Sequence, residues 1–100
     1  MRGVMLLGNK QQDFILAEKI VRAAIHRIDP YGLLEGGSPE DEFDSEIRSI
    51  TNQLQRCKTE SDIAHAIART LTSSFGEKFD PSEFREESNR VFLELKENEN

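Results

Sequence analysis

The chain has 100 residues, of which 36% are hydrophobic and 32% charged; that is enough for one core, and two half-length units would each be close to the size that needs disulfides or metals to stay folded. Its 19 acidic residues outnumber 13 scattered basic ones for a net charge of -6, so the electrostatic footprint of a nucleic-acid binder is missing. The single cysteine, Cys57, rules out an intrachain disulfide and points to a reducing compartment, the cytoplasm, and the apolar run Val4 to Leu7 is too short for a signal-peptide core or a membrane span.

Residues 1–10 hold Gly3, Gly8 and Asn9 without sustained periodicity and are expected to form an arm ahead of a single helical domain over 11–97. From Gln11 to Ile28 the apolar residues Phe14, Ala17, Val21, Ala24, Ile25 and Ile28 recur at helical spacing. Ile15, Leu16 and Ile20 widen that stripe, and Glu18, Arg22 and His26 mark the opposite side. Asp29-Pro30 ends this helix, because a residue before proline is pushed out of the helical region, and Gly32, Gly36 and Gly37 keep residues 29–37 irregular.

Ser38 offers an N-cap with Pro39 behind it and Asp41 three residues on, so a second helix is expected to start there, with Glu40, Asp41 and Glu42 facing the positive end of its dipole. Its apolar stripe is Phe43, Ile47, Ile50, Leu54 and Cys57. Thr59 and Asp62 repeat the capping pattern for a third helix through Ile63, Ala66, Ile67, Leu71 and Phe75, stopped by Gly76. Asp80-Pro81-Ser82-Glu83 starts a fourth, marked by Phe84, Val91, Phe92 and Leu95. With no run of period two and no internal repeat, the expected fold is all-α, a compact bundle of about four short helices with one irregular Gly-rich loop between the first two.

Few constellations could carry chemistry. Glu40, Asp41, Glu42, Asp44 and Glu46 crowd one helix start, where acidic side chains are ordinary dipole compensation and can also hold magnesium. Glu83 with Glu86 and Glu94 with Glu97 are further pairs of the kind all-α nucleotide pyrophosphatases use, without the companion pair that would complete such a site. His26 and His65 read as surface histidines, too few for a zinc or di-iron centre. Cys57, on the apolar stripe, reads as a small buried hydrophobe. No phosphate loop or nucleophile elbow occurs, so no catalytic residue, metal or cofactor is assigned. The loop from Asp29 to Gly37 sets Tyr31, Leu33 and Leu34 among glycines; these side chains either close the open end of a thin core or anchor an interface rimmed by the acids at 40–46.

Asp29-Pro30-Tyr31-Gly32-Leu33, followed by Gly37-Ser38-Pro39-Glu40-Asp41-Glu42-Phe43-Asp44-Ser45-Glu46-Ile47, resembles a pattern of small bacterial YugE-like proteins of unknown function. In those relatives a tryptophan often precedes the Asp-Pro step, where Ile28 stands here. The resemblance covers about a fifth of the chain and implies a short helical, bacterial, cytoplasmic domain; it brings no activity or catalytic residue.

Two functions compete on this reading. One is a non-enzymatic interaction module in which Tyr31, Leu33 and Leu34, with Glu40, Asp41, Glu42 and Asp44, engage a basic protein in an immunity-like way; it follows from the apolar loop and from residues 29–100, where seventeen acidic residues against eight basic ones give -9. The alternative is a magnesium-dependent enzyme acting on a phosphorylated small molecule through Glu42, Glu46, Glu83 and Glu86. A homodimer that hides the broad apolar side of the first helix is a third, structural possibility.

Overall fold

Apolar residues spaced three and four apart cannot all leave water unless the helix that carries them packs against others, and four such helices form: α1 (Gln11–Ile28), α2 (Asp44–Gln53), α3 (Glu60–Phe75) and α4 (Arg85–Glu97). The computed structural model describes residues 11–39 and 41–98; among these there is no strand, and the expected arm at 1–10 lies outside them. The all-α bundle expected from the sequence is the observed fold. No described helix is long and apolar enough to cross a membrane.

α1 packs on α2 and α4, and α3 packs on the same two helices, so the main contacts close a ring of four. One continuous cluster fills its centre: Ala17, Val21, Ala24 and Ile25 from α1, Phe43, Ile47, Ile50 and Leu54 around α2, Ile63, Ala66, Ile67 and Leu71 from α3, and Phe84, Val91 and Leu95 around α4. The stripe read for α1 is too wide at one place, because Ile15 is 49% exposed. Two buried hydroxyls are satisfied within the fold: Thr51 donates to the Ile47 carbonyl at 2.7 Å and Ser88 to the Arg85 carbonyl at 3.0 Å. α2 and α3 are further joined where Gln53 donates to Thr70 (2.8 Å) and accepts from Arg69 (2.6 Å).

α3 begins and ends as its sequence reads. Thr59 accepts from the Asp62 N–H at 3.1 Å while the Asp62 carboxylate accepts from the N–H groups of Lys58 (2.8 Å) and Thr59 (3.2 Å), a closed capping box. These backbone donors, Lys58 first, hold the Asp62 carboxyl below its usual range. Gly76 closes the other end at φ 71°, where a residue without Cβ is favoured.

The starts of α2 and α4 depart from the sequence reading, and in the same way. Ser38 does not cap α2; its N–H bonds the Leu33 carbonyl at 2.9 Å, a turn follows in which Glu42 N–H bonds Pro39 C=O (3.0 Å), and the α-helix begins only at Asp44. Asp80 does accept from the Ser82 N–H (3.0 Å), but what it caps is a 3-10 turn over Pro81–Phe84, and α4 starts at Arg85. Each lead-in delivers a buried phenylalanine, Phe43 at φ -106°, ψ 22° and Phe84 at φ -113°, ψ 20°, at the helix boundary. Burying such a ring is worth roughly 1.5–3 kcal/mol, against about 1 kcal/mol for a serine cap. The ring decides where the regular backbone begins. At its other end α2 tightens into a 3-10 turn over Leu54–Arg56 before Cys57.

Candidate functional site: the Tyr31 loop

The loop after α1 is held by its first residue. Asp29 ends the helix with its N–H on the Ile25 carbonyl at 2.7 Å and turns left-handed at φ 46°. Its two carboxylate oxygens accept the N–H groups of Leu34 (2.8 Å) and Glu35 (3.1 Å), so one short side chain satisfies donors a full turn ahead. Pro30 is buried, and a Cβ at Gly36 would meet the Gly32 carbonyl oxygen at a tight 3.2 Å. Leu33 and Leu34 pack, partly buried, against the core.

Tyr31 does the opposite. Its backbone is left-handed at φ 60°, an uncommon conformation for a bulky residue, and its side chain remains 54% exposed. The ring meets Phe75 (5.1 Å between centroids) and Phe79 (6.1 Å) at steep angles, and Phe75 in turn meets buried Phe43 while Phe79 meets buried Phe84. An aromatic chain thus runs from the core to the surface and ends in Tyr31. Its hydroxyl donates to the Glu77 carboxylate, which raises the Tyr31 pKa above the ordinary phenol value.

The loop is divided by burial: Leu33 and Leu34 close the core, and Tyr31 stands outside it. Of the acids expected to rim an interface, Asp41 and Glu42 are exposed, whereas Asp44 is engaged by Arg22 at 2.7 Å; Glu40 lies outside the described residues. Arg22 also reaches Glu18 at 3.6 Å. Much of the stretch from Asp29 to Ile47 is thereby spent on the fold itself: Asp29 braces the loop, Gly32 sits at φ 64°, Phe43 fills the core and Asp44 ties α2 to α1. Tyr31, Asp41 and Glu42 are among the residues it leaves exposed. From 29 to 47 the chain carries seven carboxylates, Asp29, Glu35, Glu40, Asp41, Glu42, Asp44 and Glu46, and no Lys, Arg or His.

Glu77, Phe75 and Phe79 complete this surface and were not legible as part of it. Tyr31 and Glu77 are 46 residues apart, and neither spacing nor motif links them.

The other candidates are less concerted. Glu42 and Glu46 lie at the start of α2, Glu83 and Glu86 at the start of α4, and among the described residues no three His, Cys, Asp or Glu side chains gather where they could hold a metal ion. An open groove of about 540 Å³ separates the start of α3 from the 81–84 turn, with Glu60, His65, Asp80 and Arg85 mixing both signs of charge along it. His65 is exposed, its Nδ1 2.9 Å from the Ser61 carbonyl. His26 corrects the surface reading, being half-buried with an Nε2 atom that has no hydrogen-bond partner among the described residues. Cys57 is buried as read; its thiol lies 3.4 Å from the Gln53 carbonyl, and burial, helped by nearby Asp62, pushes its pKa up to about 11. A thiol so poorly ionised is no nucleophile at neutral pH.

No protein-family model matches this chain, and neither a curated protein nor a solved structure does.

Proposed function

We propose that the protein is a non-enzymatic interaction module, bacterial and cytoplasmic as its YugE-like pattern implies, that engages a basic protein surface in an immunity-like way. Tyr31 is the anchor, Glu77 is its hydrogen-bonded acidic neighbour, and Glu35, Asp41 and Glu42 are exposed carboxylates of the 29–47 stretch. The observation that carries this reading is an aromatic ring left half in water on a loop otherwise braced by hydrogen bonds, beside a stretch of chain with no cation. Rigid tyrosines are favoured anchors because a large contact area is offered at little entropic cost. Exposed carboxylates steer and orient a basic partner more than they add raw affinity.

The test is affinity capture with purified protein, wild type against a Tyr31→Ala, Asp41→Asn, Glu42→Gln variant, with folding of both checked by circular dichroism. A partner retained by wild type, released by moderate salt and lost by the folded variant is the expected result. Partners that are all kept by the folded variant exclude this surface.

A further inference from the structure

We propose that Tyr31 and Glu77 together form a receptor for one arginine side chain of the basic partner, the guanidinium stacked on the exposed Tyr31 ring and paired with the Glu77 carboxylate. The inference rests on the interaction reading above and names the group that is recognised. Phe75 and Phe79 meet the Tyr31 ring at interplanar angles of 64° and 78°, which fixes its plane while more than half of the side chain remains in solvent. A positioned, half-open ring is what a flat cation needs.

Glu77 follows the Gly76 cap of α3, whose left-handed backbone turns the chain back toward the loop. Its carboxylate accepts the Tyr31 hydroxyl, and an ionised carboxylate has lone pairs to spare for a second donor. The ring and the acid are thereby held side by side by a contact already present in the protein. The occupant is chosen by charge complementarity, since residues 29–47 carry no basic group and leave Glu35, Asp41 and Glu42 exposed. Lys78 is the sole cation between Arg69 and Arg85 and makes no ion pair among the described residues. Arginine is favoured over lysine because a planar, weakly hydrated guanidinium stacks on a ring and pairs with a carboxylate through a fork of donors, which a compact ammonium cannot do.

Tyr31 is the only tyrosine and there is no tryptophan, so the emission of the unmodified protein reports on this ring alone. The protein is titrated with a short arginine-rich peptide spaced by Gly and Ser and with its lysine counterpart, following Tyr31 emission and, in parallel, the heat of binding. The expected result is a saturable change in emission and binding about tenfold tighter for the arginine peptide. In Glu77→Gln the preference collapses toward one, while Glu83→Gln, which removes an exposed charge on the 81–84 turn, keeps it. Equal affinity for the two peptides, or equal losses in the two glutamine variants, overturns the proposal, because general charge attraction then accounts for binding. A partner that still depends on Tyr31 in capture while the peptides bind equally overturns the arginine receptor and leaves the interaction module standing. Emission that changes with protein concentration and responds to neither peptide assigns the patch to a second copy of this chain instead.

Discussion

Ser38-Pro39-Glu40-Asp41 and Thr59-Glu60-Ser61-Asp62 carry the same pattern, a hydroxyl with an acid three residues on, yet only the second starts a helix where it stands. Around Thr59 every group the box needs lies within five residues, and the first large apolar side chain, Ile63, comes only after the box is closed. Around Ser38 the backbone is already committed, its N–H to Leu33, and the chain must carry Phe43 into a core that α3 also lines. A local signal worth about 1 kcal/mol decides a boundary where nothing stronger competes, and yields where a ring must be buried.

That contrast can be broken most severely at the ring. Phe43→Ala is expected to cost about 3–5 kcal/mol by urea unfolding, a large share of the roughly 5–15 kcal/mol available to a domain; a loss near 1 kcal/mol would mean that the loop does not depend on it. Next in size is the brace. Asp29→Ala removes an acceptor from two backbone donors and is expected to cost about 2 kcal/mol, with Asp29→Asn recovering part of it, since asparagine tolerates the left-handed backbone and retains one acceptor oxygen.

The two capping signals are compared directly by alanine. Thr59→Ala is expected to lower stability by about 1 kcal/mol, and Ser38→Ala by less than about 0.5 kcal/mol because α2 starts after Phe43 and not after Ser38; equal losses would contradict the observed helix starts. The smallest effect is spectroscopic. With the Tyr31 pKa raised mainly by its hydrogen bond to Glu77, absorbance titration of this single tyrosine should give a midpoint above the ordinary value of about 10, moving down toward it in Glu77→Gln. The sign follows from linkage. A raised folded-state pKa means that the contact stabilises the fold below the unfolded value and is lost as pH rises through the folded one. A wild-type midpoint at or below 10 would remove the Tyr31–Glu77 contact from the solution structure.

The same contrast explains how far the site could be read. Tyr31, Asp41 and Glu42 are visible as candidates because a tyrosine among glycines and an acidic run are local features. Leu33 and Leu34 look identical to Tyr31 at that level, being apolar residues of one loop, and only their packing separates them. Asp44 likewise reads as one acid among several until Arg22, 22 residues earlier, is seen to hold it. Glu77 has no local mark at all.

By itself the sequence determined the number of helices, the end of α1 at the Asp-Pro step and both ends of α3, because apolar periodicity, proline sterics and capping act within a turn or two of chain. Only the tertiary structure decided where α2 and α4 begin, which loop residues are buried, and that Tyr31 meets Glu77 at the surface. Those outcomes depend on pockets and partners supplied by chain tens of residues away, and the free energy of filling them exceeds that of the local signals they override.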